Sequence, residues 1–442
     1  MDTKIFRHGE IAQAAAAIKR GELVAFPTET VYGLGADATN EKAVKNVYLA
    51  KGRPSDNPLI VHVNSIAMVE KYAAEIPDNA RKLMDAFWPG SLTIILKIKK
   101  GALSKTVTGG LKTVAFRYPD CQPTLDLIEE AGVPMVGPSA NTSGKPSPTT
   151  AQHVYHDLHG KIAGIVDNGP TRVGVESTVL DMSTDHPVIL RPGAVTKKDI
   201  EAVIGSIDLN HHKVGKNETP KAPGMKYKHY APKAQVYIVD EDTDWDKVVE
   251  WIRQQPFDVG MMAEEKVLQQ EVLPMNAIQF SLGKNVQDAS ARLFDGLRQF
   301  DDQPNVKAIV TQAFPAHDLG GAYMNRLNKS AGGIYSAPGQ QMSNMLNFSL
   351  GNNLEAKVRD DESPTGESKK IMLLNSFNIS SNYNMSSDSL KLAPVRVNES
   401  TDFIATNWNS RACWQDVNAF TRSRSVDWDA NFEEFWRNID FA

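Results

Sequence analysis

The chain has 442 residues, 41% of them hydrophobic and 23% charged, and a formal net charge of -5 at pH 7. That length supports about two or three domains with sizeable cores, and the acidic balance excludes a protein held to nucleic acid by bulk charge, leaving room only for a local basic cleft. Cys121 and Cys413 stand far apart with no metal-type spacing, the N-terminus has no signal-peptide core, and no run approaches the roughly 18 apolar residues that span a bilayer, so a cytoplasmic protein without membrane attachment is expected.

Residues 11–19 are Ala-rich and predict a helix stopped at Gly21, a residue suited to a left-handed cap. A βα alternation follows, with a strand at 23–26, a helix over 41–50, a strand over 59–63 and helices through Ala67 and Leu83. Trp88-Pro-Gly90 ends the last helix, 92–98 reads as a strand, and further strands are expected near Val114, Val179 and 188–190. This pattern predicts a mixed, twisted α/β sheet flanked by helices over residues 1–205.

Residues 206–233 turn polar and read as a linker, ending in Pro223-Gly-Met-Lys-Tyr-Lys-His-Tyr-Ala-Pro232, which is too aromatic and basic for a passive spacer. A second alternation occupies 234–333, with strands at 235–239, 259–262 and 308–311 and helices at 245–254, 289–300 and 323–330. It predicts a small doubly wound α/β domain. Residues 334–442 form an irregular tail dense in Asn and Ser, loop-like or disordered over 360–370. The alternation of Phe377, Ile379, Tyr383 and Met385 predicts one amphipathic strand there, and 427–439 a short amphipathic helix.

Polar clusters fall just after the strand-like runs: Pro27-Thr-Glu-Thr-Val-Tyr-Gly-Leu34, Lys51-Gly-Arg-Pro-Ser-Asp-Asn57, Val61-His62-Val63, Phe116-Arg117, Pro138-Ser-Ala-Asn141, Glu176-Ser-Thr178 and Arg191-Pro-Gly-Ala194. At the strand ends of one layer they would converge on one mouth of the sheet, where open α/β folds place ligands. The site would be nucleotide-sized. No G-x-x-x-x-G-K-[ST] occurs and no G-x-G-x-x-G follows a strand, which excludes a P-loop kinase or GTPase and leaves phosphates to side chains.

Lys51 and Arg53, in a loop after a helix, can cover adjacent phosphates with point-charge and bidentate contacts. Pro54 and Pro58 stiffen that loop and Asn57 offers an amide, although a Lys-Gly-Arg triplet alone is ordinarily a solvated loop. Ser139 and Asn141 either form a turn before Gly144 or donate to phosphate oxygens opposite Lys51 and Arg53. His62 faces away from Val61 and Val63 and is either a satisfied core or surface histidine or part of the site.

Taken together, Pro27 to Leu34, Lys51-x-Arg-Pro, Ser139-x-Asn141, Gly174-Val-Glu-Ser-Thr178, Arg191-Pro-Gly193 and Pro223-Gly-Met-x-Tyr-x-His-Tyr230 resemble the threonylcarbamoyl-AMP synthase family in its long two-domain form, over residues 1–333. The resemblance implies a YrdC-like catalytic domain and a cytoplasmic nucleotidyltransferase. It would condense L-threonine, bicarbonate or CO2 and ATP into threonylcarbamoyl-adenylate and pyrophosphate. A separate transferase complex would then carry the group to tRNA. Mg2+ would arrive with ATP, held mainly by the phosphates.

The resemblance further implies a tetrad of Lys51, Arg53, Ser139 and Asn141 at the phosphates. Arg53, Asn57, Thr113, Ser139, Ser147 and Arg191 match ATP-contacting positions, and Thr30, His62, Arg117 and Ser177 match positions around threonine. Arg117, with its planar fork, suits the carboxylate. Glu29 either touches ligand or braces the loop. Residues 226–230 either tether the domains or fold over the nucleotide as a lid, with Tyr230 reaching ATP.

The second domain, with Gly320-Gly-Ala-Tyr-Met-Asn-Arg326, reads as regulatory or structural. Residues 377–397 resemble a strand hairpin of outer-membrane barrel proteins. A rival reading is a double-stranded RNA or tRNA-binding module of the same fold, against which the acidic charge speaks. Another is a carbamoyl-adenylate step in hydrogenase maturation, which would need zinc-finger and acylphosphatase modules that neither the count of two cysteines nor the length of the N-terminal region permits.

Overall fold

The computed structural model describes residues 2–55, 57–209, 220–221, 230–270 and 272–331, together with the strands Met345–Arg359, Ser368–Asn384 and Arg396–Val397. Of the expected linker over 206–233, residues 210–219 and 222–229 lie outside the described residues, as do 360–367 of the loop-like stretch and the helix at 427–439. The chain divides into two compact units, Met1–Met342 and Ser343–Ala442.

In the first unit the N-terminal sheet takes β1 (Lys4–Phe6), β2 (Val24–Phe26), β3 (Gly33–Asp37), β4 (Ile60–His62), β5 (Leu92–Lys97), β6 (Thr113–Arg117), β7 (Met135–Val136), β8 (Gly164–Val166), β9 (Thr178–Asp181), β10 (Val188–Arg191) and β11 (Asp208–Leu209). Their order is β1-β8-β2-β3-β7-β4-β6-β5-β9-β10-β11. Pairing is mixed: β4 runs parallel to β6 and antiparallel to β7, while β5 runs antiparallel to β6 and parallel to β9. The expected mixed sheet is what forms. Val61, Val63, Ile94, Leu96, Val114, Phe116 and Leu180 point into the main core, against the helices Glu41–Lys51 and Asp78–Phe87.

Strand alternation then sends the neighbours of these residues to the opposite face, and that face carries the site. The Pro27–Tyr32 stretch joins the antiparallel pair β2 and β3. It is closed by Thr28, whose hydroxyl accepts from the amides of Thr30 and Val31 and donates to the carbonyl of Val31. Such a hydroxyl-centred turn satisfies a backbone that would otherwise be buried unpaired.

The smaller α/β part has β12 (Gln235–Val239), β13 (Asp258–Ala263), β14 (Ala277–Ser281) and β15 (Val306–Gln312), all parallel, in the order β12-β15-β13-β14. Val259 and Met261 on one face of β13 and Met262 on the other are all buried, as expected of a parallel strand covered on both sides. The helix Glu265–Gln270 and the edge strand β14 were not foreseen; Ala277–Ser281 is only five residues long. In the second unit, Met345–Arg359 and Ser368–Asn384 pair antiparallel, so the expected strand at 377–385 is part of a longer one.

Candidate functional site

Register places His62 beside Arg117 on β4 and β6, and Thr93 beside Arg117 on β5 and β6. Thr93 Oγ1 lies 2.7 Å from Ser177 Oγ. Arg191 on β10 donates from Nε to the Ser177 carbonyl at 3.1 Å and from Nη2 to Ser177 Oγ at 3.2 Å. Ile60, Ile95, Ala115 and Val179 continue the same face as an apolar strip. Thr113 sits on the Arg117 face of β6, about 13 Å further along. One sheet face thus carries a polar end, an apolar floor and a distant hydroxyl.

At the polar end Arg117 Nη2 meets Glu29 Oε1 at 2.6 Å, with both side chains about 5% exposed or less. Glu29 also accepts from Ser91 Oγ at 2.8 Å and from the Asp120 amide at 3.1 Å. It therefore braces the loop. His62 is buried, its ring edge-on to Phe26 at 5.1 Å. Burial, and then the charge of Arg117, hold its imidazole well below the usual histidine range. Its Nδ1 has no hydrogen-bond partner among the described residues.

Gly137 packs against that ring: a Cβ there would stand 2.6 Å from His62 Nδ1 and 2.5 Å from Phe26, so only glycine fits. Thr30 is fully buried, its hydroxyl 2.8 Å from that of Thr28.

The other cluster begins at Lys51. It is the last residue of the helix Glu41–Lys51, capped by Gly52 in the left-handed region, rather than part of the following loop. Its ammonium is held by carbonyls: that of Ser139, that of Asn141 at 2.6 Å, and the Asn141 side-chain oxygen at 3.4 Å. Ser139 and Asn141 therefore face Lys51 first through their backbone. Asn141 Nδ2 donates to the carbonyls of Thr142 and Lys145, fixing the turn. Burial, and then the charge of Arg53, depress Lys51 well below the ordinary lysine value. Neither polar atom of the buried Asn57 amide has a partner among the described residues.

The last group centres on Glu176. Its Oε1 accepts from Ser147 Oγ at 2.5 Å and its Oε2 from Arg326 Nε at 3.0 Å. Tyr230 also bonds this carboxylate and stacks on Phe294 at 5.0 Å, buried in the core of the smaller domain beside Val31. Burial alone would raise Glu176, but the charges of Arg326 and Arg191 and the Ser147 hydroxyl bring it down to about 2. Burial lowers Arg191 to about 10, which leaves it charged at neutral pH.

Of the residues singled out in the sequence, the structure joins Lys51, Ser139 and Asn141 directly. It joins His62 to Arg117, Ser177 to Arg191, and Ser147 to Tyr230 through Glu176. Thr113 stands away from these clusters. Sequence reasoning missed Thr93, and it named Arg326 only as the end of the Gly320–Arg326 motif without a place in the site. The signal for Arg326 was a charged residue inside the apolar stripe Ala322, Tyr323, Leu327 of the helix Asp318–Ser330.

A family model described as "Telomere recombination" matches residues 16–193, and one described as "Threonylcarbamoyl-AMP synthase, C-terminal domain" matches residues 195–332. The threonylcarbamoyl-AMP synthase of Bacillus subtilis (strain 168) is 51% identical over 327 residues, 73% of this chain and 93% of its own. The chain belongs to the threonylcarbamoyl-AMP synthase family. The family member from Pyrococcus abyssi is 45% identical over 329 residues, 73% of this chain and 94% of its own. The crystal structure of P. abyssi Sua5 complexed with L-threonine superposes with a TM-score of 0.69 at 43% identity, covering 75% of this chain and 98% of that one. A model described as "LptD protein" matches residues 300–414, overlapping the end of the second domain and much of the tail.

Among the described residues no group of three or more His, Cys, Asp or Glu could hold a metal ion, and no helix is long and apolar enough to cross a membrane.

Proposed function

We propose that this chain condenses L-threonine, bicarbonate or CO2 and ATP into L-threonylcarbamoyladenylate and pyrophosphate. The observation that carries the reading is the pairing, in a member of this family, of a carboxylate-bound arginine beside a neutral histidine with a carbonyl-held lysine. The first suits a small zwitterion and the second a polyphosphate.

Arg117, with five N–H donors of which Glu29 and the Gly90 carbonyl engage two, binds the threonine carboxylate. His62, Thr30 and Ser177 surround the remainder of the amino acid. The threonine amine, as the free base, attacks CO2 and loses a proton to form a carbamate. A carbamate oxygen then displaces pyrophosphate from the α-phosphorus of ATP in line. This step needs positioned charge more than a covalent nucleophile. Lys51, Arg53, Ser139 and Asn141 meet the phosphates, Asn57, Thr113, Ser147 and Arg191 complete the ATP contacts, and Tyr230 closes on the nucleotide. The apolar strip of Ile60, Ile95, Ala115 and Val179 is a floor suited to a base.

Mg2+ accompanies ATP, bound by the phosphates with few protein ligands. The product passes to a transferase complex that modifies tRNA, and the protein works in the cytoplasm. The comparisons favour this enzyme over the double-stranded RNA-binding module.

The test follows pyrophosphate release with ATP, bicarbonate and L-threonine. Release that depends on threonine, and that disappears in Lys51→Ala and Arg117→Ala, supports the reading. Release with serine alone, or none with any amino acid, overturns it.

A further inference from the structure

The side chain of Arg326, from the second domain, is among the most deeply buried in the described structure, with 0% exposure. Apart from a 3.4 Å contact of Nη1 with its neighbour Asn325 Oδ1, the partners of its guanidinium belong to the catalytic domain. Nε donates to Glu176 Oε2 and Nη2 to the Glu176 carbonyl, both at 3.0 Å, and Nη1 donates to the carbonyl of Pro192. One guanidinium therefore grips two loops, Gly174 to Thr178 and Arg191 to Gly193. The residues next to its anchors, Ser177 and Arg191, are bonded to each other. The helix that carries Phe294 presses on the first loop as well: a Cβ on Gly174 would lie 2.3 Å from Ala291 Cα.

The charge pattern gives this grip a purpose. Glu176 is a buried carboxylate, and Arg326 and Arg191 are the two cations whose charge it feels most. A carboxylate buried without a counter-charge is strongly disfavoured, so in the absence of Arg326 it would draw Arg191 into an ion pair. Arg191 would then be neutralised and turned from the sheet face where it meets Ser177. With Arg326 in place, the carboxylate is satisfied from behind and keeps one oxygen for Ser147.

We propose that Arg326 is a positioning residue for the nucleotide side of the site: it neutralises Glu176 so that Ser147 and Arg191 stay oriented toward ATP, which makes the second domain a working part of the active site. The inference rests on the synthase reading above. It assigns the second domain a role that neither a regulatory nor a purely structural module would have.

The test compares Arg326→Gln, Arg326→Lys and the double variant Glu176→Gln/Arg326→Gln with the unmodified chain, by steady-state kinetics in ATP and in threonine and by direct titration with ATP. Arg326→Gln is expected to raise the ATP KM by on the order of tenfold or more while the threonine KM stays within about twofold. The double variant, which leaves no unpaired buried charge, is expected to recover most of the ATP affinity, and Arg326→Lys part of it.

A folded Arg326→Gln protein with an unchanged ATP KM overturns the inference, as does one in which both KM values rise together. Should Arg326→Gln not fold, the double variant decides: ATP binding near that of the unmodified chain supports the inference, and a folded double variant that has lost ATP binding overturns it. Absence of threonine-dependent pyrophosphate release in the unmodified chain would instead count against the synthase reading. ATP titration would still read the role of Arg326 in that case.

Discussion

The two ends of the site hold their buried cations in opposite ways. Lys51, 2% exposed, is held by the carbonyls of Ser139 and Asn141, which orient the ammonium without cancelling its charge. Arg117, equally buried, is held by the Glu29 carboxylate, which cancels it. An uncancelled cation in a low-dielectric setting exerts a strong field on an arriving polyphosphate. In the proposed reading, the arginine of the neutral pair keeps N–H donors for the carboxylate of a zwitterion.

The sharpest way to break this contrast is Lys51→Ala. Pyrophosphate release should fall on the order of 100-fold or more, the scale for losing a positioned charge at a reacting centre, with little change in the threonine KM. Glu29→Gln attacks the other end. It leaves Arg117 buried without its counter-charge, so denaturant unfolding should show a loss of about 3–5 kcal/mol and the threonine KM should rise more than that for ATP. If either variant moves both KM values equally, the division between the two ends fails.

Gly137→Ala tests the packing behind His62. Its Cβ would overlap the imidazole and Phe26, so about 1–3 kcal/mol of stability should be lost, read from the denaturant midpoint. Tyr230→Phe removes the hydroxyl, and with it the bond to Glu176, and keeps the ring on Phe294. ATP affinity should weaken by about 1 kcal/mol, whereas unchanged affinity and turnover would discard the contact with the nucleotide.

Two pH effects sharpen the contrast further. The Lys51 amine lies below its ordinary value of 10.5 because burial and Arg53 disfavour its charged form. Bound phosphate favours that form, so the ATP KM should climb as pH rises through the amine's free-enzyme pKa, and Lys51→Arg should flatten the climb. Glu176 is held at about 2 against 4.5 when unfolded. Asp157 is also at about 2, against 3.8: burial raises it, but its bonds from Arg298 outweigh that. Both folded values are depressed, so their stabilisation is complete above about 4.5 and is lost as pH falls toward about 2. Acid unfolding of Glu176→Gln/Arg326→Gln should lack the Glu176 part of that loss.

Much of this was legible in the chain. The alternation Val61-His62-Val63 put His62 on the face opposite the core, and Phe116-Arg117 did the same for Arg117, because strand periodicity is a local property. The turn at Thr28, whose hydroxyl lies two and three residues before amides that need an acceptor, was not read in the sequence and emerged from the structure. The edge strand β14 was missed although Ile278 and Phe280 alternate with polar neighbours, because five residues are too short a run to stand out. Lys51 was expected in a loop after a helix over 41–50, whereas the helix includes Lys51 and Gly52 caps it just beyond.

By itself the sequence determined the order of the elements, the face each strand residue takes and the set of polar clusters, since these depend on neighbours a few residues apart. Tertiary structure alone decided which charge meets which. Glu29 finds Arg117 88 residues away, Lys51 finds carbonyls 88 and 90 residues away, and Arg326 finds Glu176 across 150 residues. A buried charge is compensated by whatever group the packed chain brings beside it. A backbone carbonyl has no side chain to announce that role in advance.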